Sequence, residues 1–248
     1  MKIKVIEGLD LTTILGIQKY EAPIPAELSG QARGNFPSFI QKTDQERAQN
    51  IYEDIFVKNA DAYYEVTTKL DGTSFTGFNN NNIQGVCSRN WELKLEGSNE
   101  SNTMVRLFID SGMQELFRQI NRNIAIQAEL MGPKIQGNRE QLKAPTLFVF
   151  DIYDIDKAAY FPPKERRELL DELWALGLDK KMVQHVPIVA YSANLYDTLG
   201  INSMESLLKF ADGPSLVHPI KEGNVFKRVD GGFSFKVISN QFLLKEKD

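Results

Sequence analysis

Cysteine and histidine are scarce in this 248-residue chain, which carries only Cys87, His185 and His218. One thiol cannot build an internal disulfide framework or a cysteine-ligated zinc site. Two well-separated histidines leave no histidine-rich metal cage. Long apolar runs are also missing, since no stretch approaches the ~18 residues that span a bilayer. The start, Met1-Lys2-Ile3-Lys4-Val5-Ile6-Glu7, lacks the apolar core and cleavage site of a secretory signal. A reducing, cytoplasmic location is the expectation. Positive charge is not in excess: 29 basic and 33 acidic side chains give a net −4, which argues against coating nucleic acid through a global field. A local basic groove stays open, because phosphate contacts need only a few lysines and arginines. With 42% apolar and 25% charged residues the chain is ordinarily globular, about one large domain in size.

Periodicity and punctuation suggest an order of elements. Pro23, Pro25, Gly30, Gly34 and Pro37 mark an extended, loop-rich stretch. Thr43 and Glu46 form a capping-box pattern ahead of Ile51, Tyr52, Ile55 and Phe56, which predicts a helix there. Strands are expected over 63–68, 73–78 and 83–88, with the asparagines 79–82 as a hairpin turn. A helix over 102–120, strands over 124–130 and 146–153, and a helix from Pro163 to Ala175 stopped by Gly177 follow. Asn202 and Glu205 repeat the capping-box logic for a short helix closed by Gly213. A hairpin of strands 224–229 and 233–238 turns at Asp230-Gly231-Gly232. Short strands and helices without a βαβ rhythm indicate an α+β fold.

Three groups of residues carry candidate chemistry. Lys69-Leu70-Asp71-Gly72 sits between two strands and reads either as a charged turn or as a nucleophile. A lysine partly shielded from water and near cations can attack as the free amine, and a glycine lets a phosphate approach the backbone. In Glu222-Gly223-Asn224-Val225-Phe226-Lys227, alternation places Val225 and Lys227 on one face, and Lys236 lies across the hairpin. Glu129 and Asp151 each interrupt an apolar strand, so each must find a cation, a metal or donors.

Together with Ser88-Arg89, Ala128-Glu129-Leu130, Phe150-Asp151-Ile152 and Phe235-Lys236, these segments run in one order along residues 69–236. The series resembles motifs I, Ia, III, IIIa, IV and V of the covalent nucleotidyltransferases: ATP-dependent RNA and DNA ligases and GTP-using capping enzymes. Within that superfamily the chain is most similar to RNA ligases. The Phe-Asp-Ile form and the ending Phe235-Lys236-Val237-Ile238-Ser239-Asn240-Gln241-Phe242 resemble the T4-phage RNA ligase 2 group. Lys19-Tyr20-Glu21-Ala22-Pro23 and the segment from Thr43 to Asn50 resemble the Deinococcus/Naegleria type. There an N-terminal OB domain precedes the catalytic domain. Here only about twenty residues precede the resemblance, so the expectation is a chain with neither that domain nor a C-terminal OB domain. The expectation is a short segment, 1–20, and one adenylyltransferase domain, 21–248.

The resemblance implies an α+β, ATP-grasp-like nucleotidyltransferase fold of antiparallel sheets flanked by helices, with a nucleotide pocket between them. It implies an ATP-dependent RNA ligase that forms lysyl-AMP on Lys69, transfers AMP to an RNA 5′-phosphate and joins it to a 3′-OH, at nicks in duplexes. Lys227 and Lys236 are expected on the α-phosphate. Asp71, Glu129 and Glu222 are expected around Mg²⁺ or Mn²⁺, Arg89 at the ribose or a phosphate, and Phe150 stacked on adenine. Arg47 is a weaker candidate for a phosphate. The alternatives are a DNA ligase or capping-type transferase, and a degenerate domain that binds RNA or nucleotide. Two positions depart from the pattern. The second lysine of a motif V Lys-X-Lys array is replaced by Ile238, or the first by Ser234, with Lys245 as a possible substitute. Ser74 stands where the T4 type has asparagine.

Overall fold

A computed structural model describes residues 12–16, 24, 30–99 and 101–245. The expected segment 1–20, apart from 12–16, and Lys19 to Pro23 and Pro25 lie outside the described residues. In chain order the strands are β1 (Ala32–Asn35), β2 (Glu46–Arg47), β3 (Tyr63–Lys69), β4 (Thr73–Asn80), β5 (Ile83–Cys87), β6 (Trp91–Leu93), β7 (Ile124–Met131), β8 (Thr146–Asp154), β9 (Ala159–Tyr160), β10 (Val183–His185), β11 (Ile188–Asn194), β12 (Gly223–Arg228) and β13 (Ser234–Ile238). The α-helices are α1 (Thr12–Leu15), α2 (Thr103–Asp110), α3 (Met113–Gln119), α4 (Pro163–Ala175), α5 (Met204–Phe210) and α6 (Asn240–Lys245).

Two sheets organise the molecule. The larger has the order β1-β6-β5-β4-β7-β8-β10 with β9 beside β8, and the smaller has the order β11-β3-β12-β13-β2. All pairings are antiparallel except the short parallel contacts of β8 with β10 and β13 with β2. The expected α+β architecture is the observed one. Apolar faces set the layers. Val105, Phe108, Met113, Leu116 and Phe117 of α2 and α3 join Leu169, Leu170 and Leu173 of α4 against Phe75, Ile126 and Val149 of the large sheet. On the small sheet, Leu207 of α5 packs against Tyr64, Val66, Phe226 and Phe235. The Phe226 and Phe235 rings stack 4.8 Å apart at 4°. With one face of each sheet covered in this way, residues of the other faces are left to line a cavity. No helix among the described residues is long and apolar enough to cross a membrane.

Three local expectations need correction. The Thr43–Glu46 pattern starts no helix, because Glu46 and Arg47 pair with Phe235 and Lys236. Helical backbone comes only after it, as a 3-10 turn over Ala48–Asn50 and then over residues 52–58, so the helix expected around Ile51–Phe56 is present but widens to a π-helix over Asp54–Lys58. The single helix over 102–120 is two, since Gly112 at φ 79° breaks it, while the Asn102 side chain caps the first by accepting from Met104 N–H. The cap of α5 is Ser203, reciprocated by Ser206, rather than Asn202 with Glu205.

Candidate active site

The site is built from strand alternation. On β3, Tyr64 and Val66 enter the core while Thr67 and Lys69 line a cavity of about 340 Å³. The β3–β12 register places Thr67 opposite Val225 and Lys69 opposite Gly223, and β13 places Lys236 opposite Val225. Lys69, Val225, Lys227 and Lys236 thereby face Glu129, Ser74 and Phe150 of the large sheet across the cavity. Regular alternation would send Glu222 toward the core with Asn224 and Phe226. Gly223 at φ 154° interrupts it, and a Cβ there would lie 1.9 Å from the Val237 carbonyl oxygen. Glu222 instead meets Lys69, Nζ to Oε2, at 2.7 Å.

Glu129 accepts the Gly72 N–H at 2.9 Å. Burial, then the nearby Glu222 and Asp71 carboxylates, push its pKa up to about 7 against the pull of Lys69. The glycine of the Lys69 segment has a packing reason: a Cβ at Gly72 would lie 2.5 Å from the Leu130 carbonyl oxygen. Asp71 reaches Arg139, whose Nη1 is 3.5 Å from Oδ2.

Lys227 is buried and donates to Asp151 Oδ1 at 2.5 Å and to the Phe150 carbonyl at 2.6 Å. Its desolvation lowers its pKa to about 8, with Asp151 opposing and Arg166 adding to the effect. The β7–β8 register slips here: Gln127 pairs with Asp151 and Ala128 with Val149, so Phe150 is an unpaired bulge residue. Such a bulge re-aims side chains. Phe148 is buried beneath, while the Phe150 ring lines the cavity. Lys236 has no salt-bridge partner among the described residues. Burial lowers its pKa, followed by repulsion from Lys69. Arg89 lines the same cavity and pairs with Asp44 at 2.8 Å. A cationic, partly desolvated rim beside an aromatic ring and a lysine–carboxylate pair suits a nucleoside phosphate.

The RNA ligase family model matches residues 62–238. The chain belongs to the RNA ligase family. It resembles a lysine-to-alanine mutant of the Naegleria gruberi RNA ligase with ATP and Mn at 46% identity and TM-score 0.79, over 97% of this chain and 67% of that one. The Naegleria gruberi RNA ligase with pyrophosphate matches at 48% identity and TM-score 0.78, over 97% of this chain and 68% of that one. A lysine-to-methionine mutant with AMP and Mn matches at 47% identity and TM-score 0.79, with the same coverage. No curated protein matches the sequence significantly.

In this ligase the three carboxylates Asp71, Glu129 and Glu222 each have a different partner. Among the described residues, no three His, Cys, Asp or Glu side chains converge to hold a metal ion. The donor set fits a cation taking one or two carboxylates and completing its shell with phosphate oxygens and water, the habit of Mg²⁺. Arg47, exposed on β2, pairs in register with Lys236 and adds to its positive surroundings without lining the cavity. Ile238 is buried, and Lys245 does not line the cavity. Sequence reasoning passed over Glu65 and Arg166, both fully buried, and their neighbours Arg167 and His185. The rule that flagged Glu129 applies equally to Glu65, an acid within Tyr63-Tyr64-Glu65-Val66. No comparable signal marks Arg166 in a helix rich in charge.

Proposed function

We propose that this ATP-dependent RNA ligase works through a lysyl-AMP on Lys69, passes AMP to an RNA 5′-phosphate and joins that end to a 3′-OH, at nicks in duplexes. The supporting observation is Lys69 itself, held by Glu222 at the cavity wall, with Lys236 of β13, two strands away, lining the same cavity. The ligands of the Naegleria structures match the two sides of the first step: ATP with Mn as what it consumes and uses, pyrophosphate as what it releases, and AMP as the group it transfers.

In that step the Lys69 amine attacks the α-phosphorus of ATP, a P–N bond forms, the bond to pyrophosphate breaks and the amine loses a proton. The Lys69–Glu222 pair must open for this, since only the neutral amine attacks. An oxygen of the RNA 5′-phosphate next attacks the lysyl-AMP phosphorus and releases the lysine. The 3′-OH then attacks the activated phosphate, AMP leaves and the hydroxyl proton is lost. Lys236 neutralises charge on the α-phosphate, Arg89 holds a phosphate or ribose, and Phe150 stacks on adenine opposite Val225. Lys227 acts beside Phe150. A divalent cation bound by Glu129 or Glu222 would offset phosphate charge and compete with Lys69 for its carboxylate.

Sealing of 3′-OH/5′-phosphate nicks, with the flanking and template strands RNA or DNA in all combinations, tests the substrate. Sealing where the strand carrying the 3′-OH is RNA is expected. Sealing only of all-DNA nicks, or labelling by GTP alone, would overturn this reading.

A further inference from the structure

Behind the cavity lies a buried polar chain outside the segments that identify the family. Arg166, on α4, has no exposed side-chain surface. Its Nη2 donates to Glu65 Oε1, contacts the His185 Nε2 at 2.9 Å, and its Nη1 lies 3.9 Å from Asp151 Oδ1. Arg167 takes the other oxygen of Glu65. The β3–β12 register sets Glu65 opposite Lys227, and Asp151 holds the Lys227 ammonium. His185 donates through Nδ1–H to the carbonyl of Val186, which lines the cavity, so its Nε2 is left as an acceptor for Arg166.

Stability does not explain this arrangement. A fully buried guanidinium is costly to desolvate, and apolar replacements of buried ion pairs are often neutral or stabilising. Here the Arg166 Nε and Nη1 also lack hydrogen-bond partners. What the arrangement does accomplish is geometric. One rigid planar guanidinium stands between the two carboxylates that flank Lys227, hydrogen-bonded to Glu65 and in ionic contact with Asp151 at 3.9 Å. Asp151 sits next to the bulge residue Phe150, so its placement bears on both the lysine and the ring.

We infer that Arg166 is a positioning residue of the adenylylation site: acting through Asp151 and Glu65, it holds Lys227 against the Phe150 carbonyl at the cavity wall. The inference rests on the ligase reading for its consequence, not for its geometry. The charged or titratable groups facing Lys227 are Asp151 from β8, Glu65 from β3, Arg166 from α4 and His185 from β10. Arg166 supplies the repulsion among them that opposes protonation of Lys227, together with desolvation.

The test compares wild type with Arg166→Met, Arg166→Lys and Arg167→Met, the last removing the other arginine on Glu65. Lysyl-AMP formation is followed against pH at saturating ATP, and the Lys227 Nζ is followed against pH by ¹⁵N resonance in lysine-labelled protein without nucleotide. Arg166→Met should slow adenylylation at least about tenfold, as expected for a misplaced group. It should also move the Lys227 titration to higher pH, with the alkaline limb of the rate profile moving in parallel. Arg166→Lys should restore the titration better than the rate, and Arg167→Met should change both less. An unchanged Lys227 titration and rate in Arg166→Met would overturn the inference, as would a slower rate with an unmoved titration. Wild-type protein that forms no lysyl-AMP would refute the ligase reading, while the ¹⁵N titration would still decide whether Arg166 governs Lys227.

Discussion

Acid should destabilise this protein through His185 in a defined window. Burial first, then the Arg166 guanidinium, lowers the His185 pKa from the ordinary 6.5 to about 4. Below pH 6.5 the unfolded chain protonates this imidazole while the folded chain does not, so the unfolded state binds more protons and stability falls with pH. The contribution is complete above about 6.5 and is lost as the pH drops toward 4. The separation of the two values corresponds to about 3 kcal/mol. That is a large part of the roughly 5–15 kcal/mol that holds a domain folded. Urea unfolding of wild type and His185→Gln at several values between about pH 7 and 4 isolates it, because carboxylate titrations are common to both. The glutamine keeps an acceptor for Arg166 but cannot charge. Wild-type stability should fall more steeply by about 3 kcal/mol over the window. Parallel curves would refute the argument that His185 is held neutral by its surroundings.

Gly223→Ala should destabilise the fold by at least about 1–3 kcal/mol and abolish adenylylation, because its Cβ would strike the Val237 carbonyl; urea midpoints and ATP labelling check this. Glu222→Ala should lose adenylylation while retaining the fold, and wild-type labelling that persisted in excess EDTA would remove the case for a metal. Raising salt from about 50 to about 200 mM should suppress nick sealing at least about tenfold more than lysyl-AMP formation, if about three or more RNA phosphates are contacted. Measured on one preparation at subsaturating RNA, parallel shallow curves would contradict ionic RNA binding.

Much of this architecture is written locally. Alternation in Tyr63-Tyr64-Glu65-Val66-Thr67 and in Val225-Phe226-Lys227 separates core from cavity without reference to the rest of the chain. The paired asparagines Asn81 and Asn82, at φ 50° and 64°, turn the β4–β5 hairpin as their residue type suggests. What local reasoning missed depends on distant partners. Glu46 and Arg47 become strand because β13, far along the chain, accepts them in register. β10 and β11 are short or largely exposed, and their pairing with β8 and β3 rather than their own pattern defines them. At the site, the contact of Glu222 with Lys69 depends on one left-handed glycine, and Phe150 is exposed to the cavity by a bulge that apolar periodicity does not reveal. The residue types of the site were legible, whereas the Arg166 chain behind it needed three dimensions.

The central claim is that Lys69 is the nucleophile. Protein incubated with labelled ATP and Mg²⁺, without RNA, then denatured and digested, should carry acid-labile AMP on the peptide containing Lys69. Lys69→Ala should carry none, and Lys69→Arg should not rescue it, because a guanidinium stays protonated. An adduct on another peptide, or one retained by the Lys69→Ala protein, would contradict the account.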